Sequence, residues 1–333
     1  MYGIFPGVKT NRIPGDEVFC PCCGTVGRSG VLESVSYEEI WALLKSDWGA
    51  QFSDDVIRRH TPRERSSLCE CGDCGLQFFL PSVGGDEDFY RELGESPRYY
   101  NPWKWEFGWS KDRIPPSAAV LDVGCGRGDF LLFLSGHGRR VVGLERNPSA
   151  RESAAARGLS VSGANIEEFS KENREAFDVI CAFHVVEHLP APVPFLQELL
   201  ACLRPGGTLF LSMPNRLRSS KALLEPLDCP PHHLTRWEPE TLQRLGDVLE
   251  VPLREIAFEP VEISVPWGDL REWIRVNSER MPAGKILGAL CPRIVPRLVF
   301  FPPFVALYRR FGLLERRGYY GLSMAARFAR HVS

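Results

Sequence analysis

Four short apolar runs set the rhythm of the middle of the chain: AAVLDVGCG, RRVVGLERN, FDVICAFHV and GTLFLSMPN. Between them lie GDFLLFLSG, PSARESAAARG and PVPFLQELLACLRPGG, whose apolar positions recur at helical spacing. Strands of this kind alternating with helices predict a parallel sheet covered on both faces. Ligands in such sheets bind outside the carboxyl ends of the strands. That rule directs attention to 122–128, Glu145, 183–188 and the stretch from Pro214 onward. Two further runs, VPLREIAFEPVEISV and GYYGLSMAARFA, read as a sixth and a seventh strand. About fifty residues separate them, too many for a plain connection.

Before the strand–helix alternation the pattern differs. CPCCG (20–24) and CGDCGLQFFLP (71–81) are two C-x-x-C-G knuckles. Such pairs can bring Cys20, Cys23, Cys71 and Cys74 around one tetrahedral zinc ion, with a glycine turning the backbone under each pair. Cys22 and Cys69 are spare and could replace a member of the set. SYEEIWALLKS, between the knuckles, predicts a helical insertion. YYNPWKWEFGW (99–109) follows as an aromatic linker, which either lies over a flat ligand or packs a domain junction.

VLDVGCGRGDF carries the most chemical information. Its spacing is G-x-G-x-G after Asp122, whereas the dinucleotide fingerprint is G-x-G-x-x-G. Gly124, Gly126 and Gly128 remove side chains where a ligand would approach the backbone. There is no pyrophosphate landing pad and no phosphate-binding lysine, so an amino-acid-bearing nucleoside suits the loop better. Asp122 can meet its ammonium group, and Glu145 both ribose hydroxyls. Asn165 and Ile166, after the third strand, are placed against the base. Phe183 ends the following strand at the same edge.

These motifs resemble those of the class I S-adenosylmethionine-dependent methyltransferases. VLDVGCGRGDF, VVGLERN and the stretch from FDVICAFHV to SMPN occur in the expected order over about 150 residues. The cysteine pattern is similar to the zinc-ribbon extension of some members. The resemblance implies an α/β fold with a Rossmann-like, seven-stranded, mostly parallel sheet and helices on both faces. A small N-terminal zinc-ribbon domain and a helical apolar insertion before the last strand complete it. It implies S-adenosylmethionine as cofactor, held by Asp122, Gly124, Gly126, Gly128 and Glu145. Asn165 stands where an aspartate is commoner. The expected boundaries are 1–85 for the zinc ribbon with its helix, 86–116 for the linker or lid and 117–265 for the core. The apolar basic insertion is expected at 266–316 and the final strand at 317–333.

Three histidines are expected at the chemistry. His232 and His233, in CPPHHLTRW, follow the fifth strand and so approach the cofactor's edge of the sheet. Methyl transfer to an alcohol needs a base for the hydroxyl proton, and imidazole suits that task. One of the pair is expected to be the base and the other an anchor for its loop; the alternative is that both are structural. In FHVVEHLP, His184, Glu187 and His188 share a face if the segment is helical. That segment resembles the E-x-x-E-H site of ubiquinone-pathway O-methyltransferases, implying a second divalent metal at Glu187 and His188. His184 replaces the first glutamate, which disfavours magnesium and leaves His184 to face cofactor or substrate.

Composition adds partners and place. The formal net charge is −2, but residues 266–333 carry 12 Lys and Arg against 4 Asp and Glu. The rest of the chain is therefore acidic, which argues against nucleic acid as a partner. ILGALCPRIVPRLVFFPPFVALYRRF is broken by prolines and arginines, so it suits a bilayer interface or a greasy substrate better than a membrane span. Peripheral membrane contact is expected through 286–310. The start of the chain shows no secretory pattern, and a cytoplasmic protein is expected, at most peripheral on a membrane's inner face. The expected reaction is O-methylation of a small-molecule, glycan or lipid-linked hydroxyl. C- or N-methylation of a sugar nucleotide or secondary metabolite is the alternative, and a non-catalytic zinc-ribbon binding protein the rival of a different class.

Overall fold

The computed structural model describes residues 18–218, 225–260 and 322–331. The expected insertion at 266–316, with the peripheral membrane contact expected through 286–310, lies outside them. The chain divides into two compact units, Met1–Arg216, Leu223–Ala257 and Ala325–Ser333 in one, Leu217–Ala222 and Phe258–Met324 in the other. The described residues belong almost wholly to the first.

Residues 29–80 build an antiparallel sheet with a helix across it. β1 (Ser29–Ser36) pairs with β2 (Arg65–Cys71), and β2 with β3 (Gln77–Leu80). α1 (Tyr37–Trp48) lies where SYEEIWALLKS predicts it. Its buried Tyr37, Ile40, Trp41 and Leu44 recur at i, i+3, i+4 and i+7, one apolar stripe. Gly49 ends it in the left-handed conformation. α2 (Asp54–Arg59) and α3 (Glu87–Gly94) follow, each started by a side-chain cap, Ser53 and Asp86. The sheet's fourth strand comes from far along the chain: β9 (Thr235–Arg236) pairs with β3 through Phe78 and Thr235. Leu227 and Cys229 join the same core as Tyr37, Trp41 and Phe89. The loop carrying the two histidines is thus built partly on the N-terminal sheet.

α4 (Trp105–Lys111) leads into the second sheet. Its strands are β4 (Ala119–Val123), β5 (Arg140–Leu144), β6 (Val161–Ser162), β7 (Phe177–Phe183), β8 (Leu203–Pro214), β10 (Leu253–Phe258) and β11 (Ser323–Ala329). They lie in the order β10-β11-β8-β7-β4-β5-β6. The pairs β4–β5, β4–β7, β5–β6 and β7–β8 are parallel. Helices α5 (Asp129–Ser135), α6 (Pro148–Ala156), α7 (Ile166–Glu172), α8 (Pro192–Cys202) and α9 (Pro239–Val248) connect them. The seven-stranded, mostly parallel sheet expected from the sequence is present. One boundary moves: LRPGG is not helical, because β8 begins at Leu203, opposite Phe177 of β7.

From β4 the chain steps outward to β5 and β6, then returns to the other side of β4 for β7 and β8. The reversal places a crevice at the carboxyl ends of β4 and β7, where ligands of such sheets bind. No helix among the described residues is long and apolar enough to cross a membrane.

Candidate active site and cysteine cluster

The loop after β4 occupies that crevice. Gly124, Gly126 and Gly128 have φ of 70°, 55° and 79°, a region costly for other residues. Packing adds a second demand. A Cβ on Gly124 would stand 2.6 Å from Val185, and one on Gly128 2.4 Å from Leu159. At Gly126 a Cβ would meet the Tyr100 ring at 3.4 Å, so the loop surface there is shared with the aromatic linker.

Glu145, just past β5, ties the loop down. Its Oε2 accepts from the Gly126 N–H at 2.8 Å and its Oε1 from the Asn147 N–H at 2.7 Å. Burial raises its pKa, and the backbone donors only partly offset this. Asp122, at the end of β4, is buried and pushed up to about 8, by burial first, with Glu145 adding and Lys104 opposing. Burial thus favours its protonated form, and a cation beside it would bring the value back down. Asn165 caps α7, its Oδ1 accepting from the Glu168 N–H at 2.8 Å, so that oxygen is used by the protein. Ile166 is buried in the first turn of the same helix. Phe183 differs from expectation: it packs in the apolar core with Phe107 and Phe130, because strand alternation turns it inward.

The segment after β7 is not a helix carrying three ligands on one face. Only Val186–His188 forms a short 3-10 turn, and His184 stands outside it with φ 55°. His184 Nε2 lies 3.0 Å from Glu106 Oε1, and its Nδ1 3.2 Å from Glu187 Oε1. Burial and Lys104 would lower its pKa, but the two carboxylates outweigh them and raise it. With a carboxylate oxygen within 3.2 Å of each nitrogen, the protonated ring is favoured, which makes His184 a poor candidate for the base. Glu106 is held below the usual carboxylate range despite burial, chiefly by His184. Glu187 is brought down to about 2, again against burial, by His184, His188 and His233.

His188 turns the other way, toward the histidine pair. Its ring centroid lies 4.5 Å from that of His232 and 4.8 Å from that of His233, and those two stack at 4.3 Å. Each Nδ1 has an oxygen partner. His188 Nδ1 faces the His232 carbonyl at 2.7 Å, His232 Nδ1 the Leu227 carbonyl at 2.8 Å, and His233 Nδ1 the Asp228 carboxylate at 3.3 Å. Carbonyls and carboxylates only accept, so the Nδ1 atoms donate and each Nε2 keeps a lone pair. Burial, then neighbouring imidazoles, holds His232 well below the usual range; burial and His233 hold His188 at about 4.

Aromatic residues link this cluster to the glycine loop. Tyr99 OH lies 3.3 Å from His232 Nε2, and Tyr90 OH 3.1 Å from His188 Nδ1. Tyr100 accepts from Asn147 Nδ2 at 3.3 Å and lies under the Arg127 guanidinium at 4.5 Å. Asp228, Glu106, Tyr90 and Tyr99 were not singled out by sequence reasoning. Asp228 directly precedes the CPPHH stretch, and Glu106 and Tyr99 lie in the aromatic linker. Nothing in their spacing marks them, because their partners are remote in sequence.

The two knuckles meet. Cys20 Sγ is 3.5 Å from Cys74 Sγ, and Cys23 Sγ 3.6 Å from Cys71 Sγ. The four ligand atoms lie within 4.8 Å of one another. Both knuckles use one backbone design. Gly24 N–H donates to the Cys20 carbonyl and Gly75 N–H to the Cys71 carbonyl, each at 3.0 Å, with φ of 72° and 73°. The Cys74 contact, then burial, pushes the Cys20 thiol far up; burial pushes Cys71 up to about 11. Cys23 alone comes down to about 7, because Thr25 and its thiol neighbours outweigh burial. Four thiols packed so closely cannot ionise together without a cation among them. Cys69 stands apart, its Sγ on the Ser67 carbonyl at 3.8 Å.

Residues 105–247 match the family described as a methyltransferase domain. The chain is 32% identical over 114 residues to a ubiquinone biosynthesis O-methyltransferase of Xanthomonas campestris pv. campestris (strain B100), covering 32% of this chain and 48% of that protein. It is 36% identical over 107 residues to the protein of the same name from Actinobacillus pleuropneumoniae serotype 5b, covering 29% and 46%. The chain thus spans about half the length of the curated relatives it matches. Among solved structures, a SAM-dependent methyltransferase from Archaeoglobus fulgidus aligns with a TM-score of 0.44 at 17% identity, over 67% of this chain and 94% of that one.

Proposed function

We propose that this chain, whose residues 105–247 carry a match to a methyltransferase domain, transfers a methyl group from S-adenosylmethionine to a hydroxyl of a small-molecule, glycan or lipid-linked acceptor. One observation carries the reading. The glycine loop stapled by Glu145 and the imidazole cluster lie along the same edge of one sheet, with Val185 of the β7 loop packed on Gly124.

The residues present fit the donor. The ligand's amino-acid part is placed against the Gly124–Gly128 backbone, where the Tyr100 ring now lies over Gly126, and Asp122 ionises when an ammonium group sits beside it. Glu145 keeps acceptor capacity for a ribose diol beyond its two backbone bonds. S-adenosylmethionine supplies a methyl group on a sulfonium, open to in-line attack. On the acceptor side, His233 takes the hydroxyl proton at Nε2 as the oxygen attacks. Asp228 orients the ring through Nδ1 and stabilises the imidazolium that forms, as the third group of a catalytic triad does. Glu187, with Oε1 3.9 Å from His233 Nε2, adds to that stabilisation. His232, bonded at both nitrogens, holds the loop. His184, shared between Glu106 and Glu187, offsets part of their charge rather than moving a proton.

The donor set of Cys20, Cys23, Cys71 and Cys74 fits a structural zinc ion, which would cross-link 20–23 to the β2–β3 hairpin. The membrane-facing role of 286–310 rests on its sequence. The test is calorimetric titration with S-adenosylmethionine, followed by incubation with labelled donor and hydroxyl-bearing extracts. Binding and a labelled ether support the reading. No heat of binding, or label on carbon or nitrogen only, overturns the donor or the O-methylation respectively.

A further inference from the structure

We infer that His188, His232 and His233 form a binding site for a divalent transition-metal ion that favours imidazole, such as zinc. It lies apart from the four-cysteine cluster in sequence and in ligand chemistry. One ring nitrogen from each histidine falls within 4.8 Å of the others. Three features make this a site rather than a crowd of rings.

The first is the hydrogen bonding of the Nδ1 atoms. Metal-bound histidines almost always donate their other N–H to a carbonyl or carboxylate, which fixes the ring and leaves one lone pair for the ion. All three rings do so, to the His232 carbonyl, the Leu227 carbonyl and Asp228; at His232 the Tyr99 hydroxyl, 3.3 Å from Nε2, would give way to the ion. The second is charge. Glu187 is buried, its carboxylate oxygens lack a well-aligned hydrogen-bond donor among the described residues, and Oε1 stands 3.9 Å from His233 Nε2. His184 is shared between Glu187 and Glu106, so an ion among the three rings would supply a second positive charge for the two carboxylates. The third is access. His232 and His233 are buried, whereas His188 is partly exposed and gives an ion a way in.

The ligand set differs from that implied by the E-x-x-E-H resemblance. His184, at the first position of that motif, has both nitrogens facing Glu106 and Glu187. Three imidazoles suit zinc, cobalt, nickel or copper rather than magnesium. The ion would occupy the His233 lone pair that the proposed reaction uses for a proton. Metal-bound and base-competent states are therefore alternatives, and zinc at this site inhibits methyl transfer. The binding claim stands on the cluster itself; only the inhibition rests on the proposed function.

The experiment measures metal bound per chain after zinc titration and gel filtration, for the full chain and for His188→Ala and His188→Gln. Cobalt titration distinguishes the sites, since only thiolate ligation gives strong near-ultraviolet charge-transfer absorption. The wild type is expected to hold one equivalent more than either His188 variant. The cobalt spectrum of that equivalent should lack thiolate bands. Asp228→Asn should weaken it about 10- to 100-fold through the orientation of His233. Equal metal content in wild type and both variants, or thiolate bands alone, overturns the site. S-adenosylmethionine calorimetry on the same samples reports folding of the variants. It also separates the two ideas: donor binding without the extra equivalent sinks this inference alone, and the extra equivalent without donor binding sinks only the methyl-transfer reading.

Discussion

Glu145 Oε2 accepts the Gly126 N–H at 2.8 Å, so the carboxylate that faces the proposed ribose site is also the staple of the glycine loop. Glu145→Ala removes the acceptor of two backbone donors, Gly126 and Asn147. We expect a loss of stability of about 1–3 kcal/mol, measured by urea denaturation. S-Adenosylmethionine affinity should fall by more than the same variant's stability loss explains. Glu145→Gln, which keeps one acceptor oxygen, should recover part of the stability and less of the affinity.

Asp122 gives a pH signature. Its folded pKa of about 8 lies above the ordinary 3.8. Between those values the unfolded chain has released the proton and the folded chain retains it. This group's contribution to stability therefore falls as pH rises through that window and is level above it, with a slope of at most about 1.4 kcal/mol per pH unit. Denaturation midpoints at pH 5, 6.5 and 8 should fall in the wild type more steeply than in Asp122→Asn. Equal slopes would show that Asp122 is ionised in the free protein.

His184 is held between Glu106 Oε1 at 3.0 Å and Glu187 Oε1 at 3.2 Å. His184→Ala leaves two buried carboxylates without their cation. Breaking such a pair costs about 3–5 kcal/mol, which a thermal or urea melt would register. His184→Ala with Glu106→Gln should be less destabilised than His184→Ala alone, since one of the stranded charges is gone.

The base is tested by His233→Ala, for which turnover should fall about 10²- to 10⁴-fold with S-adenosylmethionine binding retained. His232→Gln should change stability more than turnover, because its ring nitrogens serve the Leu227 carbonyl and Tyr99. Turnover rates alongside melting midpoints decide between the two histidines. A larger catalytic loss at His232 would reverse the assignment.

Zinc in the cysteine cluster is tested by chelation. Stripping the metal should lower the melting midpoint and loosen 20–23 and 71–74 together. Cys71→Ser with Cys74→Ser should reproduce the effect and make the midpoint insensitive to chelator.

The sequence alone fixed whatever depends on neighbours along the chain. Alternating apolar runs and helical patterns set the parallel sheet, since side-chain periodicity is local. Gly124, Gly126 and Gly128 were legible as positions stripped of side chains; that all three take positive φ came only with the fold. Paired knuckles announced Cys20, Cys23, Cys71 and Cys74, because a two-residue spacer is itself the geometry of a metal turn. Packing decided the rest. β9 joins the N-terminal sheet from the far side of the chain, and that docking carries His232 and His233 to His188. Asp228 becomes the partner of His233, and His184 is drawn between Glu106 and Glu187. Phe183 turns inward to Phe107 and Phe130. A hydrogen bond or a charge pair acts over a few ångströms of space whatever the separation in sequence, so these assignments were not written in any local pattern.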